Sequence, residues 1–138
     1  MDVNVLLALL DVDHVQHAAA RAWLLENEAA GWASCALTEN GFVRIISQSG
    51  YTNPVPIRVA IERLVSAKAT DHHRFWESGI SLADKSLVDP KQVLAPSQVT
   101  DLYLLALAVR HGGRFATFDR QVPLGAVVGA TPEHLVVL

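Results

Sequence analysis

Apolar positions along the chain follow a helical period in some stretches and form short continuous runs in others. Val3–Leu10 is apolar almost throughout, which predicts a short helix after a very short strand. His17–Glu28 is rich in strong helix formers, with Ala18, Ala22 and Leu25 at helical spacing. GWASCA over 31–36 predicts a buried strand, and Thr38 an N-cap for a helix ENGFVRIISQ that stops near Ser49-Gly50. After the loop YTNPVP, Ile57–Ala69 puts Ile57, Ala60, Ile61, Leu64 and Val65 on one side of an amphipathic helix. HHRFWE is expected to be a short strand, and 78–97, with Pro90 and Pro96, a loop. A helix from about Gln98 to His111 ends at Gly112-Gly113, and RFATFD and HLVVL supply further strands. Helices alternating with short apolar strands predict an α/β domain whose parallel sheet is covered on both faces. There is no internal repeat, low-complexity tract or linker, so 1–138 is expected to form a single domain.

Four acids stand at equivalent places in this pattern. Asp101 heads the set Asp101, Leu104, Leu105, Ala108, and Glu39 heads Glu39, Phe42, Val43, Ile46 at the same offsets. Both carboxylates are therefore expected on the apolar face at a helix start, just where the chain has left the sheet. Asp119 follows the strand around Phe115–Phe118, and Asp2 lies at the end of whatever first strand exists. In an open α/β sheet such positions converge outside the carboxyl ends of the strands. The helix dipole alone explains a single acid in a first turn, and turn formation explains one acid after a strand. Neither explains two acids on apolar faces. Carboxylates crowded together repel unless a cation neutralises them, and oxygen donors without Cys or His suit Mg²⁺ or Mn²⁺.

Composition adds boundaries. A hydrophobic content of 51% excludes disorder, and no apolar run approaches the ~20 residues of a membrane span. The N-terminus has no basic region before its apolar stretch, so no signal peptide is expected, and the lone Cys35 suits a reducing cytoplasm as an inert core residue. The net charge is −3 from 11 basic and 14 acidic residues; with four acids set aside for a cation, 11 − 10 leaves +1. A polyanionic substrate is thus neither indicated nor excluded.

The segments DVNVLLALL, LTENGFVRI, VTDLYLLALA and ATFDR resemble the four acidic motifs of PIN domains. They are most similar to VapC toxins of bacterial type II toxin–antitoxin pairs, and the likeness runs in order from Asp2 to Arg120. It implies a three-layer α/β/α sandwich around a central, mainly parallel sheet. It implies metal-dependent endoribonuclease activity, a cognate VapB-type antitoxin and a homodimer through helices that include part of Ile57–Ala69. It also implies that Asp2, Glu39, Asp101 and Asp119 form the catalytic quartet. Asp2, Asp101 and Asp119 are then the first choices as ligands of one or two ions, with Glu39 holding the attacking water or accepting its proton. Related proteins place several apolar residues before the first Asp, whereas only Met1 precedes Asp2, so the first strand is expected to be abnormally short. Apolar helical surface around Trp23, Leu24, Val43 and Ile46–Ile61 is expected to exceed what one small domain buries and to serve the antitoxin.

Supporting positions are open to two readings. Asn4 either orients Asp2 or caps the following turn. Thr117 is a strand residue first and a hydrogen-bond partner second, and Arg120 meets substrate phosphate or a solvated ion-pair partner. His14, His17, His72 and His73 lack the companions of a zinc site, and Trp23, Trp32 and Trp76 are expected as core or interface anchors. A haloacid-dehalogenase-like phosphatase needs a second acid where Asn4 stands. A receiver domain needs an Asp in the strand that here reads GWASCALTE. The remaining alternative is a PIN-like binding or assembly module without nuclease activity, for which a degraded quartet is expected.

Overall fold

The computed structural model describes residues 1–93 and 95–138. The expected loop over 78–97 includes position 94, which lies outside the described residues. Two compact units appear: Met1 with Val3–Glu77, and Asp2 with Ser78–Leu138.

The first unit holds α1 (Val3–Leu10), α2 (His17–Glu26), β1 (Trp32–Cys35), α3 (Ala36–Ile46), α4 (Ile57–Lys68) and β2 (His73–Trp76). No strand precedes α1: Met1 lies outside regular structure, its amino group donating to the Ala33 carbonyl at 3.3 Å. Phe42, Ile46, Leu6, Leu7, Ala60 and Leu64 form the core where α1, α3 and α4 meet. Strands β1 and β2 pair in parallel, Trp32 opposite His73 and Ser34 opposite Phe75. Side chains alternate along a strand, so Trp32, Ser34, His73 and Phe75 share one face. Gly31 sets this register. Its φ is +73°, and a Cβ there would sit 2.7 Å from the His72 carbonyl oxygen, which accepts the Trp32 N–H at 2.8 Å.

Three local expectations need correction. Helix α3 begins at Ala36, so Thr38 is its third residue and not its N-cap. Its hydroxyl reaches back to accept the Cys35 N–H and donate to the Cys35 carbonyl, each at 3.1 Å. On α2 the expected face of Ala18, Ala22 and Leu25 is exposed, and Ala20 is the residue buried. An alanine-rich helix has strong propensity but little polarity to fix its orientation. On α4 only Ala60 and Leu64 of the predicted stripe are buried, while Ile57, Ile61 and Val65 are 62%, 47% and 63% exposed.

A buried carboxylate elsewhere in this unit was not foreseen. Asp11, 3% exposed, accepts the Tyr51 hydroxyl at 2.9 Å and the Asp13 N–H at 3.3 Å. Burial, then the hydrogen bond to Asp11, push the Tyr51 phenol up to about 12. The same corner is closed by Arg63, which donates to the Leu10 carbonyl at the C-terminus of α1. All three tryptophans, Trp23, Trp32 and Trp76, and the single cysteine, Cys35, belong to this unit.

The second unit holds α5 (Val99–Arg110), β3 (Phe115–Thr117) and β4 (Leu135–Val137), with 3₁₀ turns between them. Helix α5 is buried nearly all round, Leu104 through Ala108 without a break, and packs on β3. It ends as its glycines predict: Gly112 takes φ +62° and the Gly113 N–H returns to the Ala108 carbonyl at 2.9 Å. Strand β3 pairs in parallel with β4, Phe115 opposite Leu135. The class is therefore α/β with parallel strands, as expected, and the ladder hydrogen bonds among the described residues form two parallel pairs. No described helix is long and apolar enough to cross a membrane.

Candidate active site

Asp101 occupies the first turn of α5 and is 9% exposed, on the face that also buries Leu104, Leu105 and Ala108. Asp2 is 6% exposed, and its N–H donates to the Ala116 carbonyl of β3 at 2.8 Å. Asp119 follows β3 and is exposed, its Oδ1 accepting the Gln121 N–H at 2.7 Å. Thr117, fully buried, links the last two. Its hydroxyl donates to Asp2 Oδ2 at 3.3 Å and accepts the Asp119 N–H at 3.1 Å. One threonine thus fixes a carboxylate at one end and a backbone turn at the other.

The Asp101 carboxyl is raised from 3.8 to about 6, first by burial and then by the charges of Asp2 and Asp119. The charges of Asp2 and Asp119, which oppose ionisation of Asp101, favour a cation beside it. The divalent ion implied by the resemblance fits this donor set, since carboxylate oxygens suit a hard cation. Among the described residues no three His, Cys, Asp or Glu side chains stand close enough to hold an ion by themselves.

Replacing Thr117 by Val keeps the β-branched strand shape but leaves Asp2 and the Asp119 N–H without their buried partner. We expect a loss of about 1–3 kcal/mol in stability and weaker Mn²⁺ binding, read by denaturant midpoint and by titration calorimetry. An unchanged Mn²⁺ affinity would make Thr117 structural only.

Glu39 lies in the first unit, in the first turn of α3, and heads a face on which Phe42 and Ile46 are fully buried. Its Oε1 accepts the Ser34 hydroxyl at 2.5 Å and pairs with Lys68 Nζ at 2.6 Å. Ser34 also contacts His73 Nε2 at 2.8 Å. Sequence reasoning missed Ser34 and Lys68 and treated His73 as incidental. The only local signal was the alternation in WAS and HRF that places Trp32, Ser34, His73 and Phe75 on one face.

The supporting residues divide. Asn4 is exposed in the first turn of α1, and its side chain neither bonds Asp2 nor caps the helix among the described residues, against both expectations. Arg120 is exposed and has no ion-pair partner among the described residues. Cys35 is buried as expected. Trp32 borders the core, its ring centroid 4.4 Å from that of His73. His17 Nδ1 lies 2.8 Å from the Ala8 carbonyl, and His14 Nδ1 accepts the Gln16 N–H.

Comparison with known proteins places these residues in context. The chain is 54% identical to Ribonuclease VapC44 of Mycobacterium tuberculosis over 138 residues, covering 100% of this chain and 97% of that protein. It is 39% identical to Ribonuclease VapC39 over 94% of both chains, and 43% identical to Ribonuclease VapC38 over 88% of this chain and 85% of that one, both from the same organism. The PIN domain model matches residues 1–124, a span that contains all four acids. With its parallel strands, its acid-headed apolar helices and these full-length relatives, the chain belongs to the PIN domain family.

Proposed function

We propose that this protein is the ribonuclease toxin of a toxin–antitoxin pair, an endoribonuclease that hydrolyses phosphodiester bonds of cytoplasmic RNA and depends on Mg²⁺ or Mn²⁺. The supporting observation is the burial of the Asp2 and Asp101 carboxylates, with Thr117 tying Asp2 to the Asp119 turn, and the charges of Asp2 and Asp119 raise the Asp101 carboxyl. Full-length relatives named as ribonucleases support the same reading. Asp2, Asp101 and Asp119 hold the cation directly or through water, with Thr117 orienting Asp2. When bound, the cation neutralises charge on the phosphoryl oxygens and lowers the pKa of the attacking water. Glu39 accepts the proton of that water. Arg120 is exposed and available to an RNA phosphate. Residues 1–138 act together as one PIN-like domain in this reading, because the family match runs through both units. A binding module without nuclease activity is the weaker alternative, since all four acids are present.

Inducing the protein in cells and mapping RNA 5′ ends tests the proposal. New ends should appear with the wild type and not with Asp101→Ala. Identical ends from both proteins, or none from either, would overturn it.

Two apolar surfaces of the first unit fit the implied partners. Ile57, Ile61 and Val65 stand exposed along α4 beside half-exposed Phe75, lining a groove of about 1000 Å³. We assign this stripe to a homodimer contact. Ile61→Asp is expected to turn a dimer into a monomer by light scattering, and a monomeric wild type at micromolar concentration rejects the assignment. Ile46, expected as exposed surface, is fully buried and takes no part. A smaller pocket of about 280 Å³, lined by Leu6, Leu10, Leu24, Leu25 and Trp32, is the place we assign to an apolar segment of a VapB-type antitoxin.

A further inference from the structure

The hydrogen bonds around Glu39 have directions that can be worked out. Ser34 has one hydroxyl proton and donates it to Glu39 Oε1 at 2.5 Å. The contact of 2.8 Å between Ser34 Oγ and His73 Nε2 then requires the imidazole to donate. Burial, followed by the charge of Lys68, lowers the His73 pKa from 6.5, so at neutral pH the ring is uncharged and its proton sits on Nε2. The opposing pull of Glu39 and the smaller push of Arg74 do not reverse this direction. Trp32 holds the ring, with centroids 4.4 Å apart and planes at 57°.

Lys68 approaches the same carboxylate oxygen from α4. Its Nζ lies 2.6 Å from Glu39 Oε1 and 5.0 Å from the centroid of the Phe75 ring. An exposed ion pair between such groups contributes little. Here the side chains are 28% and 18% exposed, and an aromatic ring fixes the ammonium. Oε1 therefore carries both a hydroxyl and an ammonium donor. Among the described residues Oε2 has no hydrogen bond or ion pair. Four elements of the first unit meet in this arrangement: β1 with Trp32 and Ser34, α3 with Glu39, α4 with Lys68, and β2 with His73 and Phe75.

We propose that Lys68, Ser34 and His73 are positioning residues that anchor Glu39 through Oε1 and leave Oε2 as its single working oxygen. The inference rests on Glu39 taking part in RNA hydrolysis. A carboxylate pinned at one oxygen cannot rotate its two oxygens through the working position, so its basic lone pair is oriented before substrate arrives. The bland reading, a local stabilising ion pair, predicts a change in stability without a change in turnover.

The test compares wild type, Glu39→Gln, Lys68→Met and the double variant on an RNA oligonucleotide in saturating Mn²⁺, with melting temperatures alongside. Glu39→Gln should lower kcat by about 100-fold or more. Lys68→Met should lower kcat about 10- to 100-fold at unchanged KM, and should cost nothing further in the Glu39→Gln background. Lys68→Arg, which keeps the charge, should restore much of the loss. A wild type that cleaves no RNA, or a fully active Glu39→Gln, defeats the functional reading itself. An enzyme that needs Glu39 but is indifferent to Lys68→Met, or that loses equally in both backgrounds with a raised KM, defeats the positioning inference alone. A second readout needs neither metal nor turnover. Imidazole ¹⁵N spectra of the wild type at neutral pH should show His73 as the uncharged Nε2–H tautomer, and Ser34→Ala should shift it. An imidazolium or an Nδ1–H tautomer in the wild type overturns the network even if Lys68→Met fails to fold.

Discussion

Asp101→Asn is expected to abolish RNA cleavage and at the same time to make the chelator-treated protein more stable at neutral pH. The two effects have one cause. In the folded chain the Asp101 carboxyl titrates near 6, against 3.8 as its ordinary value, because burial and the charges of Asp2 and Asp119 oppose its ionisation. A carboxyl raised by folding favours the folded state while protonated. That contribution is complete below about pH 4 and is lost as pH rises through about 6. Above that, ionised Asp101 costs on the order of 2–3 kcal/mol. Asparagine keeps the shape without the charge. The melting temperature at neutral pH should therefore rise by roughly 5–10 °C, with the gain vanishing near pH 4. Mn²⁺ should raise the melting temperature of wild type far more than that of the variant, since only the former gains a neutralised carboxylate. A variant that is less stable at neutral pH, or one that still cleaves RNA, contradicts the coupling.

The second large effect concerns the support beneath Glu39. Phe42 stands one turn beyond Glu39 on α3, is fully buried, and packs with Leu6, Leu7, Ile46, Ala60 and Leu64. Phe42→Ala removes the ring and leaves a cavity among three helices, at a cost of about 3–5 kcal/mol. Against a total of ~5–15 kcal/mol this is severe, and the melting temperature should fall by roughly 10–20 °C. Phe42→Leu should recover most of the loss, which separates cavity formation from any special role of the ring. A fall of only a few degrees for the alanine variant would show that the neighbours collapse into the space.

Asp101 and Glu39 stood out because each heads a helical face whose other members are strongly apolar. Asp101 with Leu104, Leu105 and Ala108 is as buried as the spacing implies, and Phe42 and Ile46 behind Glu39 likewise. The glycine stop after α5 was legible because only a residue free to adopt positive φ ends a helix that way. Orientation was less so. A stripe such as Ile57, Ile61, Val65 shows that a helix is amphipathic, not whether its apolar side meets its own sheet, and in α4 it does not. The partners of Glu39 were out of reach for another reason. Ser34 and His73 are 39 residues apart, and they meet only through the register of β1 on β2, which Gly31 fixes by its close approach to the His72 carbonyl. Asp11 and Tyr51, 40 residues apart, are hidden in the same way. Local patterning places elements, whereas such pairs depend on how distant elements meet.

The uneven placement of chromophores has an experimental consequence. Trp23, Trp32, Trp76 and Cys35 all lie in the first unit, and Tyr103 is the second unit's lone tyrosine. Tryptophan emission and thiol labelling of Cys35 therefore watch the body that carries Glu39 and are blind to the one that carries Asp101. Far-ultraviolet circular dichroism sees the helices of both. Melting curves that superimpose across the three signals identify one cooperative block, and curves that separate identify two. A tryptophan at Tyr103, in α5, would give the silent half its own optical signal.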